Sequence, residues 1–194
     1  MMDPDDEDAD LMTRFQAGDE RCFVELVDKH KQRVFNITYR YLGNTHDAEE
    51  AAQQVFINIY RSKSGYRPEA KFTTWLYIIC KNTCLKAFRK KKLQTVSLDA
   101  EQEDGGTPYS DRLADVNTQT PLQDTLATER DALVKEAIDA LPEGQKMAII
   151  LYKYEGLSYE EAAGAMGLST EAVKSLLHRA RVTLKEKLAG YFKK

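Results

Sequence analysis

Cysteine is scarce in this chain, whose 194 residues include only Cys22, Cys80 and Cys84. An odd number without paired spacing indicates no disulfide framework and fits a reducing cytoplasm. Cys80 and Cys84 lie one helical turn apart, a spacing that would allow a metal ion or an oxidation event. Both fall in an otherwise apolar run over residues 75–85, where a buried free cysteine behaves as a small hydrophobic residue. We therefore interpret both as core residues.

The sequence also lacks any apolar run long enough to span a membrane, so no membrane insertion is expected. The N-terminus, MMDPDDED, is acidic where a secretory signal would be basic and then apolar, which predicts a cytoplasmic protein. No phosphate loop, metal-ligand spacing or nucleophile–base pair is present, and His30, His46 and His178 are isolated. We therefore expect no enzyme activity, no catalytic residue, no metal site and no cofactor.

Positive charge is not in excess, because the formal net charge at pH 7 is -3. A protein that holds DNA by itself relies on many cation–phosphate contacts, and this chain, with 28 Lys and Arg against 31 Asp and Glu, has few cations to spare. The basic residues are concentrated in a few stretches, with the acids elsewhere. Hydrophobic and charged fractions of 42% and 30% are normal for a soluble globular protein and exclude a mostly disordered chain.

Apolar residues recur at helical spacing, and neither a tandem repeat nor strand-like alternation is present. The pattern predicts an all-α fold of two small helical domains. We expect an acidic tail over residues 1–9, a first domain over residues 10–92 and a second domain over residues 129–194. Between the domains, residues 93–128 lose the helical period and are rich in acids, glycine and proline, which is typical of a flexible linker.

A helix-turn-helix pattern occupies the end of the second domain. Ser158 and Glu161 form a capping box that begins a short helix of small residues, and Gly167 ends it. Leu168 is then expected to turn inward as a plug, and Ser169 to cap a second helix. Small side chains in the first helix permit the close crossing that a three-residue turn requires, which favours this interpretation.

The second helix of this motif has a polar face suited to phosphates and base edges. The face and its edges comprise Glu171, Lys174, Ser175, His178, Arg179 and Arg181. A solvated face on an ordinary amphipathic helix would contain the same residue types.

An acid-amide surface marks the first domain, on a helix expected to begin at Asp47 with a capping box completed by Glu50. Its members in the first two turns are Asp47, Glu49, Glu50, Gln53 and Gln54. The surface suits docking of a basic partner. A solvated helix start, where the helix dipole favours acids, explains the same residues.

Aromatic and basic residues are combined farther along the first domain. The polar loop over residues 62–70 contains one exposed-looking aromatic, Tyr66, and the helix predicted from Phe72 to Lys92 contains Trp75 and a basic face. Unstacked bases need a flat surface and their phosphates need a charge, so this combination is typical of single-stranded nucleic-acid binding. A core helix with a solvated lysine end is the alternative.

In order, these motifs resemble an extracytoplasmic-function (ECF) sigma factor of the bacterial sigma-70 family. The resemblance rests on the sequence DAEEAAQQVF from Asp47, on FTTWL from Phe72 followed by Ile79 and Asn82, on Leu141-Pro142 and on the helix-turn-helix. It covers residues 11–188. It implies a protein that binds core RNA polymerase, recognises the minus-10 and minus-35 promoter elements, helps to melt the promoter and initiates transcription.

The resemblance also assigns residues. The helix from Asp47 to Asn58 would dock on the clamp coiled coil of the largest polymerase subunit, through Asp47, Glu49, Glu50, Gln53, Gln54 and Asn58. A flipped minus-10 base and its strand would be held by Tyr66, Arg67, Trp75, Lys81, Asn82, Lys86, Arg89 and Lys90. The minus-35 duplex would be read by Ser169, Thr170, Glu171, Lys174, Ser175, His178, Arg179 and Arg181. The linker would run toward the RNA exit channel, and an anti-sigma factor would cover these surfaces until a signal arrives.

The rival interpretation is an autonomous helix-turn-helix transcriptional regulator that uses the C-terminal domain alone. Such a regulator would bind duplex DNA tightly without polymerase and would not need the acid-amide or aromatic-basic helices. Two small basic surfaces on a slightly acidic chain bind DNA weakly alone. A shared polymerase partner would make the second DNA contact effectively intramolecular, which favours the sigma factor.

Overall fold

The computed structural model describes residues 4–69, 71–99, 123–189 and 191. Every regular element in these residues is helical, which confirms the expected all-α class. The α-helices are α1 (Pro4–Gln16), α2 (Glu20–Leu42), α3 (Thr45–Arg61), α4 (Phe72–Asp99), α5 (Gln123–Asp139), α6 (Glu143–Ile149), α7 (Tyr159–Met166) and α8 (Thr170–Leu188). A 3-10 turn (Lys63–Gly65) precedes α4, and a π-helical turn (Ile150–Tyr154) continues α6.

Local side-chain caps set the boundaries of the second and third helices. Asp19 accepts a hydrogen bond from the Arg21 amide at the start of α2, and Gly43 ends that helix with a left-handed φ of 84°. Asn44 caps α3 by accepting from the Asp47 amide at 2.9 Å. Helix α3 therefore begins at Thr45, two residues before the predicted start at Asp47, because the Asn44 side chain supplies the capping acceptor.

The first helix begins earlier than the sequence predicted. The expected acidic tail over residues 1–9 is helical from Pro4, and Asp8 is buried. The Asp8 Oδ2 lies 2.8 Å from His30 Nε2, and its Oδ1 lies 2.7 Å from Lys29 Nζ. These partners compensate the burial of a carboxylate, so an acidic stretch becomes part of the packed domain.

Helices α1 to α4 share one apolar core. The fully buried side chains at its centre include Met12, Phe15, Leu26, Ile37 and Ile59. Cys80 and Cys84 are also fully buried, which confirms their interpretation as core residues, and burial raises the pKa of Cys84 to about 12.

The helix-turn-helix forms as predicted at its caps. The Glu161 amide donates to Ser158 Oγ at 3.1 Å, while the Ser158 amide donates to Glu161 Oε2 at 2.9 Å. Gly167 ends α7 at a left-handed φ of 68°. The inward turn expected of Leu168 is wrong, because that side chain is 43% exposed. Apolar side chains of α8, fully buried, fill the core of the motif instead: Val173, Leu177 and Ala180.

Two helical parts, α1–α4 and α5–α8, lie on either side of residues 100–122. Part of the expected linker is helical, because residues 93–99 belong to α4 and residues 123–128 to α5. The rest of that prediction falls outside the described residues. The two parts pack together chiefly through α4 and α7. Within the described ranges, no helix combines the length and apolarity needed to cross a membrane.

Candidate nucleic-acid interface

Helix α8 presents the predicted recognition residues on its solvent side. Its buried stripe faces α6 and α7, so the opposite side chains are free of the core. The exposed members are Glu171, Lys174, Ser175, His178, Arg179 and Arg181. Ser169 is exposed, but its hydroxyl is engaged as the helix cap with the Ala172 amide at 3.2 Å, and Thr170 is half-buried. The face can therefore offer cations and short polar groups to a DNA groove.

Two tyrosines beneath the recognition face were missed by the sequence reasoning. The Tyr152 and Tyr159 rings stack with centroids 4.9 Å apart. Lys174 Nζ lies 5.5 Å from the Tyr159 centroid, and the Arg181 guanidinium lies 5.7 Å from the Tyr152 centroid. The attraction between a cation and the face of an aromatic ring helps to orient both cations. A period of 3.6 residues gives no sign of this pair, because Tyr152 lies within the π-helical turn, where that period is broken.

The acid-amide face of α3 is mostly exposed, as predicted for Glu49, Glu50, Gln53 and Gln54. Two other members are half-buried and point toward α4. Asp47 Oδ2 pairs with Lys91 Nζ at 2.7 Å, and the Asn58 amide donates to Thr83 Oγ1 at 3.1 Å. The hydrogen bond from Lys91, together with that from Asn44, holds the pKa of Asp47 below its usual value.

A groove of about 770 Å³ separates α3 from α4. Acidic and amide side chains line one wall and basic or amide side chains line the other: Asp47, Glu50, Gln54, Asn58, Asn82, Lys86, Lys90 and Lys91. The structure thus places residues predicted for two different partners along the same groove. Asn82 and Lys86 are exposed on its α4 side.

The loop before α4 differs from the sequence prediction at its aromatic residue. Tyr66 is only 1% exposed, so the expectation of an exposed ring is wrong. Its ring packs against Trp75 and Phe72, with centroid distances of 5.4 and 6.1 Å. Trp75 is itself half-buried, and burial raises the pKa of Tyr66. The aromatic residues that suggested base stacking therefore form a core cluster in this conformation, while Arg67 is exposed.

The basic face of α4 is divided. Asn82, Lys86, Arg89 and Lys90 are exposed, whereas Lys81 is half-buried. Lys81 Nζ donates to the Met166 carbonyl at 2.9 Å, at the C-terminal end of α7 where unpaired carbonyls attract a cation. Partial burial lowers the pKa of Lys81. In this arrangement Lys81 links the two helical parts, and a DNA contact would require that hydrogen bond to open.

Other contacts between the parts pair cations of α2 with the segment after α6. Arg33 Nε lies 3.5 Å from Glu155 Oε2, and the Arg40 guanidinium lies 4.6 Å from the Tyr154 ring centroid. The Glu155 side chain is only 7% exposed. Burial raises the pKa of Glu155, although Arg33 and Arg40 oppose that shift.

Comparison with known proteins identifies both helical parts. The family model described as "Sigma-70 region 2" matches residues 26–94, and the one described as "Sigma-70, region 4" matches residues 131–184. The ECF RNA polymerase sigma-E factor of Haemophilus influenzae is 36% identical over 186 residues, which cover 93% of this chain and 95% of the relative. The chain belongs to the ECF sigma factors. This ECF sigma factor therefore binds core RNA polymerase and promoter DNA to initiate transcription, and its family is not enzymatic.

Solved structures share the fold of this ECF sigma factor. CnrH in complex with the cytosolic domain of CnrY has a TM-score of 0.68 at 23% identity, covering 95% of this chain and 98% of that one. The sigma factor RpoE from Bartonella quintana, in complex with the anti-sigma factor NepR, has a TM-score of 0.62 at 22% identity, covering 86% and 96%. Both likenesses extend over the two helical parts.

Proposed function

We propose that this ECF sigma factor divides promoter recognition among three surfaces. The acid-amide face of α3 docks on the clamp coiled coil of the largest polymerase subunit. Helix α4 and the loop before it capture and hold the minus-10 strand, and α8 reads the minus-35 duplex. The observation that carries the proposal is the exposed polar face of α8, projecting from the second helix of a fully capped helix-turn-helix.

Core docking is supported by the geometry of α3. Its apolar side is buried against the domain, and Glu49, Glu50, Gln53 and Gln54 project outward together. Asp47 and Asn58, on the edge of α3 that faces α4, are already bonded within the domain to Lys91 and Thr83. The outward group is therefore available to a partner with a basic surface, and we assign it the larger share of polymerase binding. Asp47 and Asn58 position the helix beside it.

Minus-10 recognition is supported by the exposed groups along the groove between α3 and α4. Asn82 offers both donors and an acceptor to a base edge, and Lys86 and Lys90 offer cations to phosphates. Flipping a base out of the stack costs a few kcal/mol, which contacts to a pocket can offset for the preferred base. Arg67 lies exposed in the loop before α4, after Tyr66, and would add a phosphate contact.

The proposal also includes regulation by an anti-sigma factor. This regulation takes place in the cytoplasm, where the polymerase is. The similar RpoE structure contains such a partner, NepR. In this proposal the linker runs toward the RNA exit channel. Its residues 100–122 are outside the described part of the chain. An anti-sigma factor that covers α3 or α8 would block a surface that polymerase or the promoter needs.

One experiment with three sets of variants tests this division. Gln53→Ala with Gln54→Ala is expected to weaken binding to core polymerase, since both amides project from α3. Asn82→Ala is expected to reduce promoter opening more than duplex binding. Lys174→Ala and Arg179→Ala are each expected to weaken minus-35 duplex binding by the holoenzyme, by about 1–3 kcal/mol where a base edge is contacted.

Two exposed residues outside the three surfaces serve as controls. Gln32→Ala on α2 matches the amide changes, and Lys185→Ala in the last turn of α8 matches the lysine change. Both are expected to behave as the unaltered protein in all three assays. If the glutamine pair leaves core affinity unchanged, the docking assignment is wrong. Wild-type footprints from both α8 variants would remove the minus-35 assignment, and equal losses in opening and duplex binding would remove that of Asn82.

A further inference from the structure

One side chain from the N-terminal helix holds the turn that precedes α4. Gln16, the last residue of α1, donates from Nε2 to the Lys63 carbonyl at 2.6 Å and to the Tyr66 carbonyl at 3.2 Å. The Tyr66 amide also donates to the Lys63 carbonyl, at 3.2 Å. The Gln16 carboxamide therefore spans both ends of the 3-10 turn from 47 and 50 residues away in the sequence.

Helix α1 is a firm support for this contact. Met12 lies one helical turn before Gln16 and Phe15 lies directly before it, and both are fully buried. At the other end of the helix, burial raises the pKa of Asp8, but hydrogen bonds from His30 and Lys29 outweigh it and leave that pKa below its usual value. Gln16 is itself half-buried, so its amide is a fixed donor rather than a mobile surface group.

The position of the turn decides where the exposed part of the loop lies. Because the Tyr66 ring is packed against Phe72 and Trp75, the loop offers a base mainly its exposed residues 67–69 and their backbone. The Tyr66 carbonyl is the last backbone acceptor before that stretch. A donor fixed on this carbonyl sets the direction in which the chain leaves the core.

We propose that Gln16 is a positioning residue for minus-10 recognition, whose carboxamide fixes the 3-10 turn and thereby the exposed stretch 67–69 beside the flipped base. The inference rests on the proposed function of the loop and extends it to α1. Recognition of a base depends on groups held to within about 0.5 Å, so a turn freed from its support loses discrimination before it loses affinity.

Two substitutions of Gln16 remove the support in different ways. Gln16→Met retains the length of the side chain but has no N–H donor. Gln16→Glu retains the shape and places a carboxylate oxygen against two carbonyl oxygens. Gln32→Met is the matched control, because Gln32 is an exposed residue of α2 whose carboxamide donates to Asn36 of the same helix at 3.0 Å.

Each variant is assayed as holoenzyme with core polymerase. The probe is the promoter fragment that gives the strongest protein-dependent run-off, together with its single-base substitutions in the minus-10 element. Opening is measured by permanganate reactivity of unpaired thymines, and folding by circular dichroism at the assay temperature. We expect both Gln16 variants to remain folded and to bind core normally. Their ratio of opening between parent and substituted fragments falls about tenfold, the effect of losing one or two hydrogen bonds, while the Gln32 control keeps its ratio.

An unchanged ratio in both Gln16 variants overturns the inference. So does an equal loss of opening on parent and substituted fragments, since that indicates general damage to the domain. Asn82→Ala in the same assay separates this failure from failure of the proposed function. If Asn82→Ala lowers opening and the Gln16 variants do not change the ratio, only the inference fails. If Asn82→Ala has no effect, the assignment of the loop and α4 to the minus-10 element fails.

Discussion

At the scale of single residues, tertiary neighbours decide whether a side chain of this ECF sigma factor is buried or exposed. Tyr66 lies in a polar loop, and this local sequence alone favours an exposed, base-stacking role. In the folded chain Phe72 and Trp75 lie on the first turn of α4, close enough to enclose the Tyr66 ring. The neighbouring Arg67 has no such enclosure and is exposed. Truncation should therefore cost much more stability at Tyr66 than at Arg67.

Tyr66→Ala is expected to lower the free energy of unfolding by about 3–5 kcal/mol, the usual loss for a buried aromatic side chain. Arg67→Ala should change it by no more than about 0.5 kcal/mol, as for other exposed sites. Urea unfolding monitored by circular dichroism measures both. A loss below about 1 kcal/mol for Tyr66→Ala would show that the ring is not enclosed.

At the scale of elements, helix α7 and the turn that follows it contain two glycines with different roles. Gly167 has a left-handed φ of 68°, whereas Gly164 lies inside α7. A Cβ on Gly164 would meet the Thr74 Cγ2 of α4 at 3.7 Å, which is ordinary van der Waals contact. The same substitution should therefore have opposite signs at the two positions.

Gly167→Ala is expected to cost about 1–2 kcal/mol of unfolding free energy, because an L-residue is strained in the left-handed region. Gly164→Ala should add about 0.5–1 kcal/mol, because alanine restricts the unfolded chain and favours the helix. Thermal or urea unfolding of both variants provides the comparison. A stabilised Gly167→Ala protein would be inconsistent with the turn described for the helix-turn-helix.

At the scale of the whole molecule, cations of the first part meet acids and carbonyls of the second. Lys81 bonds the end of α7, and Arg33 pairs with the buried Glu155. Lys81 is also predicted to contact the minus-10 strand, so the packed arrangement and that contact exclude each other. The ionisation of Glu155 depends on its burial at this contact, so the effect of its charge on stability reports on the packing.

Glu155→Gln is expected to stabilise the protein progressively as pH rises above the ordinary glutamate pKa of about 4.3. Burial raises the pKa of Glu155 in the folded protein. In the window between the unfolded-state pKa and this higher folded-state pKa, the unfolded chain releases the proton first, so the parent loses folding stability as pH rises and glutamine avoids that loss. The difference in unfolding free energy between variant and parent should grow across this window and then level off. Glu186→Gln, an exposed site with the same charge change, is the control. A difference that is constant with pH would indicate that the Arg33 pair offsets the burial.

Much of this organisation could be predicted because the signals are local. Helical periodicity, the Ser158–Glu161 capping box and Gly167 define the helix-turn-helix within about thirty residues, and the structure reproduces them. The bond from Lys81 to Met166 and the support from Gln16 join residues far apart in the chain, and the enclosure of Tyr66 depends on how its loop packs against α4. Periodicity contains no information on such contacts, so they could not be predicted. The early start of α1 was missed because acids on a helix face resemble a tail until their buried partners are known.

The most direct test of the account is run-off transcription from a library of promoter fragments with purified core polymerase, with and without this protein. We predict initiation that depends on the protein and is confined to fragments sharing a minus-35 and a minus-10 element. The contradicting result is that no fragment responds while the protein alone binds duplex DNA tightly, as an autonomous regulator would.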